Sequence, residues 1–365
     1  MASNKNQHYV PRCYLKPFTL HGQGAAIDVY NVDRLKLIPN APTKNQCSRD
    51  YFYGQDEKLE NAIQTLEQSY GSVLREVLAP GYKLQKGHQH ILQLFWLFQY
   101  LRTEGAGLRS AQMLAEMFEP MDLGEEYSTG IKDAVQAAMY AFAENMETIS
   151  DLKVCLLRNA TNVPFITSDD PAVLTNRWQL EDVRARGSSL GLRGAGAIFL
   201  LPLSPGVFCL GYDSDLYSIS SDNGWVVLRK PSDIEALNEF QLMNCRANLY
   251  VGTPEYKDDL HVFVQRHLHR RPKVRHVVDF AVLDEERSGI RKRYRVVSKA
   301  EFASAQDGIM HAQTIFKPPS EWPGFLLRRQ KSVAYYNGSI VGYVRKLHAV
   351  PDDSQRPFVR VSPYN

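Results

Sequence analysis

Leu59, Ile63, Leu66, Tyr70, Val73, Leu74 and Val77 recur at three- and four-residue spacing, which predicts an amphipathic helix over residues 56–78. Pro80-Gly81 then stops it. Residues 88–101 are apolar on most sides and carry Phe95, Trp96, Phe98 and Tyr100, so this second helix should be central. Two more helices are expected over 110–118 and 131–146. Ahead of them, residues 24–38 read as two short strands about a turn at Asp33-Arg34, and residues 49–54 as a short extended segment.

Past Ile149 the apolar runs shorten. Residues 153–157, 163–167, 197–203 and 207–211 read as strands, and 234–245 as a helix N-capped by Ser232 or Asp233 after Pro231. A short strand at 249–252 and a helix over 254–267 follow. Strands are expected at 274–283 and 294–297. Residues 333–344 should form a hairpin, because Asn337-Gly338 suits the two positive-φ positions of a type I′ turn. Helices followed by strands predict an α+β protein, with a helical amino-terminal half packed on a mostly antiparallel sheet. The expected division is a domain over 1–255 and a basic, strand-rich domain or extension over 256–365.

Charge gives that division its main support. From Glu255 onward there are 20 Lys and Arg against 12 Asp and Glu, whereas the preceding residues have 23 against 28. Six of the ten histidines also lie in the last third. A basic segment on an acidic body suits a nucleic acid or another polyanion, and a merely solvated basic surface explains the count equally well. Hydrophobic residues at 44% and charged residues at 23% are ordinary for a globular chain. No apolar run approaches a membrane span, no apolar stretch follows Lys5 as in a signal peptide, and the five widely spaced cysteines include no Cys-x-x-Cys pair. A cytoplasmic protein without a membrane partner is expected.

Four constellations could carry chemistry. Asn6-Gln7-His8-Tyr9-Val10-Pro11-Arg12 places a histidine, a tyrosine and an arginine at a terminus that would ordinarily fray. Gln99, Arg102 and Thr103 share one helix face with Phe95 and Trp96. Arginine there could grip a phosphate or carboxylate, although a helix end emerging into solvent is the simpler explanation. Phe165 to Pro171 is an apolar strand ending in Thr167, Ser168, Asp169 and Asp170, placed for a metal or a general base; turn chemistry is the commoner cause of such a run. Glu60 and Glu67, seven residues apart, flank the apolar stripe of the first long helix, where a solvated flank is the usual outcome. Zinc-hydrolase spacings, Gly-rich phosphate loops and Gly-x-Ser-x-Gly are missing from the sequence.

Over about residues 6–252 the chain resembles a widespread bacterial family of unknown function recognised by a His-Tyr-Val-Pro signature. The matching pieces are His8-Tyr9-Val10-Pro11 with Tyr14-Leu15 and Phe18, Asp50 to Tyr53, Leu59-Glu60, Leu66-Glu67, Gln99 with Arg102-Thr103, Phe165 to Pro171, Pro202-Leu203-Ser204 and Leu237-Asn238. Cys13 and Glu104 depart from the pattern, where an apolar residue and a proline are more usual. The resemblance implies that these polar residues matter without assigning them a reaction. It also implies that the amino-terminal segment packs on the helices, so that His8 approaches Glu67, Gln99 and Arg102.

These readings point to a hydrolase of phosphodiesters, a metal-assisted nuclease. In it, His8, Glu67, Arg102 and Asp169 are catalytic, with Glu67 and Asp169 holding Mg²⁺ or Mn²⁺. Tyr9, Arg12, Gln99, Thr103, Ser168 and Asn238 would bind substrate, and the basic last third would track nucleic acid. Such chemistry often serves bacterial antiphage defence, by analogy alone. Two alternatives stand beside it: an enzyme acting on a nucleotide or NAD-like substrate, and a non-catalytic nucleic-acid-binding module.

Overall fold

The computed structural model describes residues 5–121, 130–185, 191–287, 291–339, 341–350 and 356–364. It is an α+β protein whose sheets are mostly antiparallel. The first long helix spans Glu57–Val77, and Asp56 caps it by accepting from the amides of Lys58 (2.8 Å) and Leu59 (3.3 Å). Its apolar stripe packs on the Lys86–Arg102 helix, where the Tyr70 and Phe95 rings stack with centroids 3.4 Å apart. The second helix is central, as its all-round apolarity requires. Trp96 stacks on Phe199 at 5.0 Å and donates its indole N–H to the Leu200 carbonyl at 3.1 Å, which docks the helix on the main sheet. Helices Glu104–Phe118 and Ile131–Asn145 complete the helical layer.

The main sheet runs Trp225–Leu228, Lys153–Asn159, Val207–Tyr212, Ile198–Ser204, Val173–Thr175, and only its first pairing is parallel. At Gly211 any Cβ would fall 1.9 Å from the Phe199 ring, so this strand crossing requires glycine. A second, antiparallel sheet orders Lys36–Pro42, Ala26–Asn31, Asn248–Val251 and Thr167–Ser168. The Ala26–Pro42 pair is the expected hairpin. Further along, His276–Arg287 pairs with both Arg291–Val297 and Gly308–Thr314. Beyond them Leu326 and Ala334 enter the same apolar cluster as Trp178, Phe208 and Phe240. No helix among the described residues is long and apolar enough to cross a membrane. All five cysteines are free.

Three local expectations need correction. The run expected as a strand at 163–167 is mostly loop and is regular only at Thr167–Ser168. The Pro231–Asn244 helix starts earlier than expected. Pro231 itself occupies the first turn and Lys230 precedes it, because the fixed φ of proline is already helical. At 333–344 the Asn-Gly pair does not close a two-residue turn. Gly338 has φ +79° but Asn337 is not in the positive region, and Tyr335 pairs with Val344, leaving eight residues between them. Ala334–Tyr336 forms its ladder with Val359–Val361 instead. Ile340 lies outside the described residues.

Candidate functional site

The amino-terminal run is tied down along its length. Asn6–His8 is a strand paired antiparallel with Ser48–Asp50. Gln7 is buried and bridges the Tyr53–Gly54 turn, accepting from the Tyr53 amide (2.7 Å) and donating to the Gly54 carbonyl (3.1 Å). The Tyr9 amide donates to the Cys47 carbonyl at 2.8 Å.

Arg102 closes the arrangement from the last turn of the Lys86–Arg102 helix. Its side chain is fully buried. Nε donates to the Tyr9 carbonyl (2.8 Å), while Nη2 donates to the His8 carbonyl (2.9 Å) and to Glu67 Oε1 (2.7 Å). The guanidinium carbon lies 4.2 Å from the Phe98 ring centroid. A buried arginine needs such partners, and this one takes them from the terminal segment and the first helix together.

Over this base lies an open cleft of about 520 Å³. His8 and Arg12 form one wall. Glu60, Gln64, Glu67, Gln68, Gly71 and Arg75 form the other, one face of the Glu57–Val77 helix; Tyr53 also lines it. The His8 ring accepts no proton at Nδ1, because Nδ1 faces the Gln46 carbonyl at 3.1 Å and must donate to it. That leaves Nε2 as the basic nitrogen. Burial pulls the His8 pKa below its ordinary 6.5, and the cations Arg12 and Arg102 act the same way against the Gln46 bond. The imidazole is therefore neutral at pH 7. Arg12 and Arg75 have no ion-pair partner among the described residues, and one buried oxygen of Glu60, Oε2, has no hydrogen-bond partner. Cys13 also lines the cleft, but burial pushes its thiol up to about 12, so it is no nucleophile at neutral pH.

His8, Arg12, Glu67 and Arg102 thus meet. The other expected site residues do not line this cleft. Asp169 accepts three backbone amides of a turn, from Arg246 (2.7 Å), Ala247 (2.9 Å) and Asn248 (2.9 Å), which occupy both its oxygens. Burial pushes its carboxyl up to about 6, with Asp170 adding to the rise and the three amides opposing it. Ser168 donates to Gln241 at 2.9 Å. Asn238 holds the loop before that strand, accepting from the Ile166 amide (3.1 Å) and donating to the Pro164 carbonyl (2.9 Å). Thr103 caps the Glu104–Phe118 helix through the Ala106 amide (3.1 Å) and donates to Asp170 at 2.6 Å. The Tyr9 hydroxyl donates to Glu104 at 3.1 Å, away from the cleft. Gln99 is fully buried, and neither of its polar atoms has a hydrogen-bond partner among the described residues.

A divalent ion shared by Glu67 and Asp169 does not fit this arrangement. Asp169 has both oxygens engaged, and Glu67 Oε1 is held by Arg102. Among the described residues no cluster of three His, Cys, Asp or Glu side chains is placed to hold a metal. Arg75, Gln64 and Gln68 also line the cleft, although none of them was expected as a site residue. Their signal was present: positions 60, 64, 67, 68, 71 and 75 make a continuous polar and small-residue stripe at helical spacing.

A family model matches residues 6–255, about two thirds of the chain, and the chain belongs to that family, described as "Protein of unknown function (DUF4238)". No curated protein and no solved structure matches it.

Proposed function

We propose that the chain is a hydrolase of phosphodiesters acting at the His8 cleft. One observation carries the reading. A neutral imidazole, held by its Nδ1–H so that Nε2 is free to accept a proton, shares a cleft with two arginines that have no ion-pair partner among the described residues. In the proposed reaction Nε2 of His8 takes a proton from water as the oxygen attacks phosphorus. Arg12 and Arg75 bind the non-bridging oxygens, whose charge grows in the transition state. The departing alkoxide, on the opposite side of phosphorus, takes a proton from solvent, and the imidazolium gives its own up to water. Arg102 does not reach substrate; it positions His8 by holding that residue's carbonyl, and it fixes Glu67. Nucleic acid is the proposed substrate, with the basic last third supplying further backbone contacts.

The test is degradation of single-stranded and duplex nucleic acid by wild type and by His8→Ala, each with and without Mg²⁺ or Mn²⁺. Loss of about 10²–10⁴ in rate is expected in the variant. Unchanged activity in a folded His8→Ala protein would sink the proposal. The size of the cleft favours a second reading, a mononucleotide or NAD-like substrate, since about 520 Å³ falls within the usual range for enclosed small ligands. Product from free nucleotide but not from polymer would select it.

A further inference from the structure

A second and larger cleft, about 860 Å³, opens between the Glu104–Phe118 helix, the turn after Asn244 and residues 265–276. Arg109, Arg246, Arg271, Lys273 and Arg275 line it, and among the described residues no carboxylate does. His269 and His276 add two further nitrogen-bearing rings.

These charges are only partly neutralised from behind. Arg109 pairs with the buried Asp170, and Arg271 with Asp33 at 2.6 Å. Arg246 lies 3.6 Å from Glu104, a carboxylate it shares with Arg49. Arg275 has carbonyl partners alone: its guanidinium donates to Asn244 (2.8 Å) and Cys245 at the end of the Pro231–Asn244 helix. Lys273 is exposed and has no ion-pair partner among the described residues. Capping a helix carboxyl end accounts for one role of Arg271 and Arg275. It does not account for gathering five cations around one void. Carbonyl dipoles do not cancel a full charge, and like charges crowded at partial burial are destabilising unless an anion joins them. Burial lowers the pKa of Arg275; the Asp170 carboxylate opposes that fall, and Arg109 and Arg271, the neighbouring cations, add to it.

We infer that this cleft binds adjacent phosphate groups, at least two negative charges in a row, with Lys273 and Arg275, neither in an ion pair among the described residues, as the main anchors. Two sources share that chemistry: the oligophosphate of a nucleotide and consecutive phosphodiesters of a nucleic-acid strand. The inference does not depend on hydrolysis at the His8 cleft.

The full chain is titrated with inorganic triphosphate and ATP by calorimetry, and with a fluorescent single-stranded oligonucleotide by anisotropy, at about 0.1 M salt. Lys273→Glu and Arg246→Gln are exposed or half-exposed changes that spare the buried caps. Each should weaken binding about tenfold, and for the oligonucleotide each should lower the salt dependence by about one released counterion. Oligonucleotide binding without triphosphate binding assigns the cleft to a nucleic-acid backbone, and the reverse assigns it to a nucleotide. If none of the three probes binds, or if Lys273→Glu and Arg246→Gln both bind like wild type, the inference is overturned.

Discussion

The His8 cleft and the Ser168–Asp170 strand end are built from the same residue types and have opposite fates. Both gather carboxylates, hydroxyls and arginine. At the strand end every hydrogen-bonding group is matched: Asp169 by three amides, Asp170 by Thr103 and Arg109, Ser168 by Gln241. The cleft leaves Nε2 of His8, Arg12 and Arg75 without a partner among the described residues and open to a ligand. Catalytic residue types do not mark a site; unspent hydrogen-bonding capacity beside open volume does.

Replacing Asp169 should give the largest stability effect. Asp169→Ala strands three backbone amides, one buried and two half-buried, and unfolding free energy by urea titration should fall by about 3–5 kcal/mol. A folded, fully stable but inactive Asp169→Ala protein would erase the contrast between the two regions. His8→Ala should do the reverse, losing activity by about 10²–10⁴ while its unfolding free energy changes by only about 1 kcal/mol, the value of its single hydrogen bond to Gln46.

Titration separates the regions again. Asp169 and Asp213 both have carboxyls raised by burial to about 6 from an ordinary 3.8. Between those values the folded state holds more protons than the unfolded state. Their contribution to stability is therefore complete below about pH 4 and lost as pH rises through about 6. A urea-midpoint series should show that decline flattened in Asp169→Asn. His8 has the opposite sign, because its folded pKa lies below 6.5. The acidic limb of hydrolysis should accordingly fall below pH 6.5; a limb at or above that value would mean that another group is the base. The smallest effect is expected from Glu60→Gln, which removes a charge with one unpartnered buried oxygen; its melting temperature should hold or rise slightly.

Local signals served the sequence reading well. The Glu57–Val77 stripe, the all-round apolarity around Trp96 and the turn at Asp33-Arg34 each depend on residues within a few positions, and the structure shows the matching helices and hairpin. The pairing of the terminal run with the helices was legible only through the resemblance. What decides Asp169 is not local at all, since its partners sit 77 to 79 positions downstream in a turn that nothing near Asp169 announces. The Asn337-Gly338 expectation failed for the same reason: the strand that claims Ala334–Tyr336 arrives from Val359–Val361. Arg75 was within reach, because the stripe that carries Glu60 and Glu67 leads straight to it.

The clamp of Arg102 on the His8 carbonyl joins residues 94 positions apart. On the ribosome, His8 emerges long before Arg102 does. A nascent chain shorter than that second helix has the imidazole but not the guanidinium that fixes its backbone, and the wall carrying Glu67 lacks the Phe95 ring on which Tyr70 stacks. The cleft therefore assembles only after Arg102 has cleared the exit tunnel, and a polypeptide that stops short of that helix carries the imidazole without its site.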